Sequence, residues 1–339
     1  MNPTPGDVHV NAILTNLSVA FIQDRNAFVA AQVFPFIPVS KQSNLYYRYN
    51  RDDFWRDEAK VRAPGTESAG GGYNVDTDSY FAKVTAFHKD ISDEERGNTD
   101  QPLDPDIDAT EYVTQKCLIK RETDFITNYM TGGVWTNDYD GVAASAGTNE
   151  TLQWSDANSD PIGDVNDAIK AILENTGKFA NTLTLGYEVY TNLINHPDII
   201  DRVKYTQNIG SNGVVKLNAT ALANLFFDAN FGQGKIVIAS AIKSTALEGA
   251  TGTADDRAFI VGKKALLTYS ERNPGIRKPS AGYTFGWTGY MGASAATEGS
   301  RIKKFRMENI ASDRIEAEMA YAQKVVSADL GFFWDSIVA

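Results

Sequence analysis

One uninterrupted stretch, residues 104–133, constrains the fold of this chain more than any other. Asp104 suits a helix N-cap because its carboxylate can accept hydrogen bonds from the free amides of a first helical turn. Pro105 follows at the first helical position, where the missing N–H costs nothing. No glycine or proline interrupts the run before Gly132, which supplies a stop. The stretch therefore predicts a helix over 105–131, on the order of 35–40 Å long at ~1.5 Å per residue.

The apolar residues of this helix form a broad arc when they are spaced at about 100° per residue. Such a wide arc favours a helix that lies across a sheet or a subunit boundary, although a long core helix of an ordinary α+β enzyme would show it too. Val113 and Cys117 are predicted to lie with the opposite, polar face. The predicted buried arc contains Ile107, Tyr112, Leu118, Ile119, Phe125, Ile126, Tyr129 and Met130.

The composition is that of a folded protein and does not favour sequence-specific binding of nucleic acid. The 339 residues are 42% hydrophobic and 22% charged, enough for two sizeable cores. The formal net charge of −11 argues against sequence-specific DNA or RNA binding, but it allows a container whose wall lets a polyanion slide. No apolar run reaches the ~18 residues that a membrane span needs. The single cysteine, Cys117, excludes an intramolecular disulfide and is expected to be a small buried thiol.

No catalytic, cofactor or metal motif is present in the sequence. It lacks a phosphate-binding P-loop, a zinc-binding H-E-x-x-H, a nucleophile elbow and a dinucleotide-binding glycine pattern. The three histidines, His9, His88 and His196, are far apart in sequence, and each is expected in a turn or at the surface. We therefore predict no catalytic residues, no cofactor and no metal, and we do not expect an enzyme.

An apolar segment at 28–39 contains two prolines. Pro35 and Pro38 forbid a helix through the whole segment and disfavour a central strand. Two interpretations stay open from the residues alone. The segment is either an arm laid over another surface or a buried connector within its own subunit.

Two aromatic-rich strands, at 44–50 and 80–88, enclose a long stretch that a compact domain would not favour. The charges in this stretch are balanced, and Phe54 and Trp55 would be costly to leave in water. A partner that covers Trp55 and pairs the charges resolves the conflict, and a flexible charged loop is the alternative. The predicted inter-subunit contact residues are Arg51, Asp52, Phe54, Trp55, Arg56, Asp57, Lys60 and Arg62, together with Phe34 and Phe36.

The rest of the chain divides by its periodicity. Helical and strand patterns alternate over about 163–299, which predicts an α/β or α+β unit with a central sheet. Longer alternating strands follow at 302–307 and 313–326, and a last strand is expected at 330–334. A ribbon of this length, charged on one side and apolar on the other, is expected to pack against the long helix.

Four passages carry a resemblance to the major capsid proteins of tailed bacteriophages, the group with the HK97-type fold. No single motif is strict, but their order and spacing along most of the chain are fairly specific. The closing KVV at 324–326 and LG at 330–331 are similar as well. The four passages are VFPFIPV at 33–39, NLYYRYNRDDFWRD at 44–57, RAPGT at 62–66 and DISDEERGN at 90–98.

The resemblance implies an α+β, HK97-like capsid fold with four parts. Some members of the group crosslink covalently through a lysine and an asparagine, and Lys60 lies in the corresponding region, but no partner for it can be assigned. The parts would be an N-terminal arm at 1–42, an extended loop (E-loop) hairpin at 43–89 over a neighbouring subunit, a peripheral domain at 90–162 and 300–339 with a spine helix at 105–131, and an axial domain at 163–299.

The function implied is self-assembly into the icosahedral head shell of a tailed phage. Pentamers and hexamers of the chain would enclose non-specifically bound double-stranded DNA, with separate scaffold, portal and decoration or head-completion proteins as partners and no membrane. The expected location is the virion, after assembly in the host cytoplasm. Two alternatives stay open: an encapsulin-like protein compartment of the same fold, and an α+β enzyme whose site is not recognised.

Overall fold

The protein is described from a computed structural model. The described residues are 23–99, 103–206, 217–227, 234–246, 256–271, 273–275, 278–291 and 300–339. The helices are α1 (Ala30–Val33), α2 (Arg51–Trp55), α3 (Asp93–Gly97), α4 (Pro105–Tyr129, the long helix), α5 (Pro161–Thr176), α6 (Tyr187–Ile194), α7 (Pro197–Thr206), α8 (Ala219–Phe226) and α9 (Thr288–Met291). The strands are β1 (Phe36–Val39), β2 (Ser43–Tyr49), β3 (Val75–Phe81), β4 (Lys83–Ser92), β5 (Asn137–Val142), β6 (Glu150–Leu152), β7 (Thr182–Gly186), β8 (Lys235–Ala239), β9 (Ile242–Ser244), β10 (Arg257–Phe259), β11 (Ala265–Thr268), β12 (Gly282–Trp287), β13 (Ser300–Met307), β14 (Ser312–Val325) and β15 (Gly331–Asp335).

A five-stranded sheet is built around β14, as the alternating pattern of the C-terminal ribbon predicts. Its first part pairs antiparallel with β13 on one side and with β4 on the other, and its last part pairs with β12. At the edge of this sheet β1 lies parallel to β12. Pro38 sits in this edge strand, where its missing N–H removes no hydrogen bond from the interior of the sheet.

The long helix begins where the sequence predicts. The Asp104 carboxylate accepts from the amides of Asp106 and Ile107, and Pro105 is the first helical residue. The helix ends at Tyr129, two residues before the predicted end. Three small residues of its first half, Ala109, Val113 and Cys117, face the sheet. They pack against Ile91, Ile315, Ala317 and Met319.

The predicted buried arc is wrong in this first half. Ile107 is 57% exposed and Tyr112 is 45% exposed, whereas Val113 is fully buried. Small residues four apart let the helix axis approach the sheet closely, so the larger side chains are left on the far side. Cys117 is buried as expected, and burial raises the pKa of its thiol to about 11.

The second half of the long helix lies in the main core, where it contacts the segment at 28–34. Phe125 and Met130 are fully buried, and the Phe125 ring meets the Phe34 ring edge-on at 5.0 Å between centroids. The buried Glu122 carboxylate accepts backbone hydrogen bonds from Val29 and Ala30. This part of the segment is therefore a buried connector, and its interpretation as an arm is wrong. Residues 1–22 of the predicted arm lie outside the described residues.

A six-stranded sheet, in the order β6-β5-β15-β11-β7-β8, forms the second layer. The predicted strand–helix alternation is present from β7 to α8. Helix α5, before β7, ends at Gly177 in the left-handed conformation. His196, expected in a turn or at the surface, lies in the turn between α6 and α7. Its side chain is buried, at 3% exposed, within hydrogen-bonding distance of Ser159 and the Asp156 carbonyl.

The chain crosses between the two layers, so the predicted boundary at 299/300 does not separate them. Strand β12, which precedes that boundary, lies in the five-stranded sheet beside β14. Strand β15, which follows it, pairs with β11 in the six-stranded sheet. Pairing partners distant in sequence are not visible in local periodicity, which explains the wrong assignment of both strands.

Among the described helices, none is both long and apolar enough to cross a bilayer.

Candidate subunit interface

A hairpin is present, but its second strand is not the predicted one. The predicted run at 80–88 lies mainly in β4, which pairs with β14 in the five-stranded sheet, and the partner of β2 is β3, which lies mostly within the predicted connection. Strands β2 and β3 pair antiparallel, from Ser43 opposite Phe81 to Tyr49 opposite Val75. The connection between them contains α2 and a long irregular part. Every residue from 54 to 77 is exposed in the subunit. The hairpin is therefore an extension of the fold and contributes little to its core.

The base of the hairpin is fixed to the five-stranded sheet by one polar and one aromatic contact. The Tyr46 hydroxyl donates to Asp78 at 2.9 Å, and Lys324 of β14 lies 3.4 Å from the same carboxylate. The Tyr46 ring stacks on Phe285 with 5.7 Å between centroids. Burial, together with the neighbouring Asp78 carboxylate, raises the pKa of Tyr46. These contacts set the direction in which the hairpin leaves the body.

Arg51, at the start of the connection, is also bound to its own subunit. Its guanidinium lies 2.5 Å from Asp329, and that carboxylate accepts a second hydrogen bond from Thr136 at 2.7 Å. Asp52 lies 3.9 Å from Arg51 and is exposed. The predicted contact residue Arg51 therefore has a structural role within the subunit.

Three aromatic side chains at the connection form a cluster that remains largely exposed to solvent. The rings of Tyr49, Phe54 and Tyr73 lie 5.5–6.1 Å apart between centroids. Phe54 is nevertheless 59% exposed and Trp55 is 52% exposed. Side chains of this size are the ones that most often dominate protein interfaces. This cluster is the strongest candidate for a contact with another molecule.

The charged candidates fall into two groups. Arg56 pairs with Asp53 at 2.9 Å and approaches Glu58 at 3.7 Å. In the described part of the chain, Asp57, Lys60 and Arg62 have no ion-pair partner. The second group is therefore available to a neighbouring molecule.

Phe34 does not belong with these residues. It is fully buried, with its ring between Phe125 and Trp135 of its own subunit, and its prediction as a contact residue is wrong. Phe36 is half-buried, and its ring covers Gly286, where a side-chain carbon would come within 2.0 Å. The sequence alone did not show that the apolar segment with both phenylalanines is covered by its own subunit, because the residues that cover it are distant in sequence.

The exposed apolar surface is concentrated on and beside the hairpin. Of the twenty large hydrophobic side chains that are exposed in the described residues, eleven lie between 45 and 87. Large contiguous apolar patches on a soluble chain indicate interaction sites. Sequence reasoning missed nine of the eleven. Seven lie on the hairpin, where an uncovered two-stranded ribbon and its connection are exposed on both faces, and two lie on β4; the nine are Leu45, Tyr47, Tyr49, Val61, Tyr73, Val75, Phe81, Val84 and Phe87.

The described residues contain no group of three or more His, Cys, Asp or Glu side chains that could hold a metal ion. The surface described above is apolar and aromatic with flanking charges, and this is the composition of a protein–protein interface. The arrangement is therefore suited to binding another protein surface.

Comparisons with known proteins found relatives over almost the whole chain. A scan against protein-family models found no match. The chain is 22% identical to the major capsid protein of Burkholderia phage BcepMu, over 97% of this chain and 96% of the relative. It is 26% identical to the major capsid protein of Pseudomonas phage JBD67, over 96% of each chain.

Solved structures show the same fold. A phage-related protein from Bordetella bronchiseptica RB50 matches with a TM-score of 0.64 at 19% identity, over 93% of this chain and 94% of that one. The capsid of cyanophage P-SCSP1u matches with a TM-score of 0.59 at 11% identity, over 97% and 93%. The SrpI encapsulin of Synechococcus elongatus PCC 7942 matches with a TM-score of 0.53 at 11% identity, over 96% and 93%.

The α+β architecture and these neighbours define an HK97-type fold, which confirms the predicted fold class. Over nearly its full length the chain is similar to two phage major capsid proteins, which supports the resemblance predicted from the sequence. Capsid proteins of this kind are structural and not enzymatic, in line with the expectation from the motifs.

Proposed function

We propose that this chain builds the icosahedral head shell of a tailed phage as pentamers and hexamers, with the hairpin at 43–89 lying over a neighbouring subunit. The observation that supports this is the separation of the chain into a complete two-layer core and an exposed aromatic extension. Identical subunits with two different complementary patches form heterologous contacts, and such contacts close into rings. The hairpin supplies one of those patches.

Interface area explains why the extension is useful. Obligate interfaces bury ~2,000–5,000 Å² or more, and dissociation of one subunit from such contacts is slow. A hairpin that reaches over a neighbour adds apolar area without enlarging the core. Trp55 and Phe54 are the central anchors of the proposed contact, flanked by Asp57, Lys60 and Arg62.

The same proposal assigns the remaining partners. The shell encloses double-stranded DNA, which an acidic wall with a chain charge of −11 contacts non-specifically and weakly. Assembly takes place in the host cytoplasm with a separate scaffold, a portal and decoration or head-completion proteins. Within the predicted span of 43–89, the hairpin of β2 and β3 acts as the E-loop. The five-stranded sheet, which includes β4, acts with the long helix as the peripheral domain, and the six-stranded sheet acts as the axial domain.

An encapsulin-like compartment is the second candidate, because a solved encapsulin shares the fold over 96% of this chain. Both reported full-length relatives are phage capsid proteins, and this favours the phage shell. The cargo separates the two: nuclease-protected DNA inside native particles supports the phage shell, and a packaged enzyme supports the compartment.

Particle size is the measurement that tests the proposal. The purified chain, alone and with its co-expressed head proteins, is analysed by light scattering and negative-stain microscopy. We expect capsomers or closed shells whose size far exceeds that of a dimer. A species of one or two chains under every condition contradicts the proposal and returns the α+β enzyme as the leading interpretation.

A further inference from the structure

A cavity of about 360 Å³ opens beside β9, β10 and the first turn of α6, and none of its lining residues belongs to the hairpin of β2 and β3. Two large apolar side chains at this place are exposed, Tyr187 at 42% and Ile242 at 38%. The Tyr187 ring packs on the Phe259 ring, with 5.4 Å between centroids. Exposed apolar side chains around a concave surface indicate a binding site. The lining residues are Glu188, Ile242, Arg257, Ala258, Phe259, Gly262 and Lys263.

Gln23 is fixed to the wall of this cavity. Its side-chain amide donates to the Ile242 carbonyl at 2.7 Å, and its side-chain oxygen accepts the Ile242 amide hydrogen at 2.7 Å. One carboxamide thus pairs with both backbone groups of a single residue, as a neighbouring antiparallel strand would. These two hydrogen bonds hold Gln23 beside the cavity.

The edge of β9 to which Gln23 binds continues past Ile242. Ala241 and Thr245 form backbone hydrogen bonds to the two residues that flank β10. Because the backbone groups of successive residues in an antiparallel strand point to opposite sides, those of Ile242 and Ser244 point away from β10. An extended segment can therefore be added to this edge, next to the place where Gln23 is already bound.

The sequence that leads to Gln23 is apolar and uncharged. Residues 1–22 lie outside the described residues. Between 10 and 22 the chain contains no Asp, Glu, Lys, Arg or His. Such a stretch gains free energy when another surface removes it from water. Its apolar residues are Val10, Ala12, Ile13, Leu14, Leu17, Val19, Ala20, Phe21 and Ile22.

Phe21 is the large side chain with the right spacing for the cavity. Residues two apart in an extended chain are separated by roughly 6–7 Å and point to the same side. In an extended continuation of the chain, Phe21 therefore shares the side of Gln23, which faces β9, and Ile22 takes the opposite side. The lining residues Arg257 and Lys263 are exposed, so their charged heads stay in water when an apolar ring enters.

We propose that residues 13–22 dock on their own subunit along the edge of β9, with the Phe21 ring in the cavity. The occupant belongs to the same chain because two residues are too short to carry Phe21 from a fixed Gln23 to another subunit. The tether also gives the segment a high effective concentration at this site. The contact forms in a single subunit, so it does not depend on the proposed function.

Proteolysis of the unassembled full-length chain tests the docking. Chymotrypsin cleaves after large apolar side chains, and mass spectrometry of the released N-terminal peptides measures cleavage within 13–22. We expect slow cleavage of the unmodified chain. Ile242→Ser removes a wall of the cavity, and Ala258→Phe fills the cavity from an exposed position. Each should accelerate this cleavage roughly ten- to hundredfold, as the lost burial of one large apolar side chain implies.

The matched control is Ile302→Ser, which changes an exposed isoleucine on β13 that does not line the cavity. It should leave cleavage within 13–22 unchanged. Circular dichroism checks that each variant is folded, and Ala258→Phe keeps the test open if Ile242→Ser does not fold.

A cysteine pair gives a second readout that also identifies the subunit. Mild oxidation of the variant Phe21→Cys with Ala258→Cys should form a disulfide within one chain, since the bond requires Cβ atoms about 4 Å apart. The natural Cys117 is buried and does not compete. The variant Ile22→Cys with Ala258→Cys, which places the thiol on the opposite side, should react several times more slowly.

The results separate this contact from the proposed function. Cleavage as fast as that of a free peptide covering 10–24 in the unmodified chain, or a disulfide formed only between two chains, overturns the docking and leaves the shell function standing. Slow cleavage that both cavity variants accelerate and the control does not, together with the disulfide within one chain, supports the docking even if the chain never assembles.

Discussion

At the scale of single residues, Glu122 is a buried charged group with several hydrogen bonds inside the core. It is 1% exposed, and its two oxygens accept the amide hydrogens of Val29 at 3.1 Å and of Ala30 at 3.0 Å. Burial raises the pKa of this carboxyl, while the amide hydrogen bonds act in the opposite direction. The side chain thereby joins the long helix to a segment that precedes it by about ninety residues in sequence.

Replacing Glu122→Ala should therefore destabilise the subunit by about 2–5 kcal/mol, because two buried amides lose their acceptor and a cavity remains. The measurement is urea unfolding of the isolated subunit. Glu111→Ala, an exposed carboxylate of the same helix, is the control and should change stability by less than about 0.5 kcal/mol. Equal effects of the two substitutions would show that the buried hydrogen bonds contribute little.

Glu318 gives the subunit an acid-sensitive contact. It is 5% exposed, and it accepts hydrogen bonds from Arg301 at 2.7 Å and from Lys303 at 2.6 Å. Burial alone would raise the pKa of Glu318, but the two cationic donors outweigh it and lower the pKa to about 2.

Because this pKa is lowered on folding, the contact stabilises the subunit above the unfolded-state value of ~4.3 and is lost as the pH falls towards about 2. We expect Glu318→Gln to cost about 1.5–3 kcal/mol at neutral pH and progressively less below pH 4. Thermal unfolding of both forms across that range measures the difference. A gap that stays constant down to pH 2 would contradict the assignment.

Residues that act through neighbours in sequence could be predicted, and residues that act through distant contacts could not. Asp104 and Pro105 define a helix start locally, and both are confirmed. Phe34 and Ile107 were misassigned because hydrophobicity alone does not say which surface covers a side chain. Nothing near Glu122 in the sequence marks it as the acceptor for Val29.

At the scale of elements, the hairpin was predictable in part. Its first strand follows from the aromatic run at 44–50, but its second strand, β3, lies before the predicted run at 80–88, most of which belongs to β4 of the five-stranded sheet. Its exposure could be inferred from the length and charge of the connection. Its anchoring through Arg51 to Asp329 could not, because the two residues are 278 positions apart.

Deletion of residues 52–72 separates assembly from folding. Tyr49 and Val75 are paired across the hairpin, and the four residues left between them suffice for a tight connection. We therefore expect a folded subunit with an almost unchanged unfolding transition and at least about a tenfold loss of assembled particles in sedimentation. Trp55→Ala, as a smaller change, should weaken particles more than it weakens the subunit. Unfolding of the deletion variant would instead place the connection in the core.

At the scale of the whole molecule, the two layers are joined by chain crossings. Strands β14 and β15 are neighbours in sequence, yet they lie in different sheets, as do β11 and β12. The fold class was predictable from the resemblance and the periodicity together. The partition of strands between sheets was not, because it depends on pairing over long sequence separations.

The open ribbon also has a consequence for the life of a newly made subunit. In a free chain Leu45, Tyr47 and Trp55 are exposed to solvent, and exposed apolar strands of this kind promote non-specific association with other proteins. Accumulation of unassembled chain therefore favours aggregation. Under the proposed function, we expect that its production is matched in time to shell assembly, or that a second protein covers the same aromatic side chains until assembly.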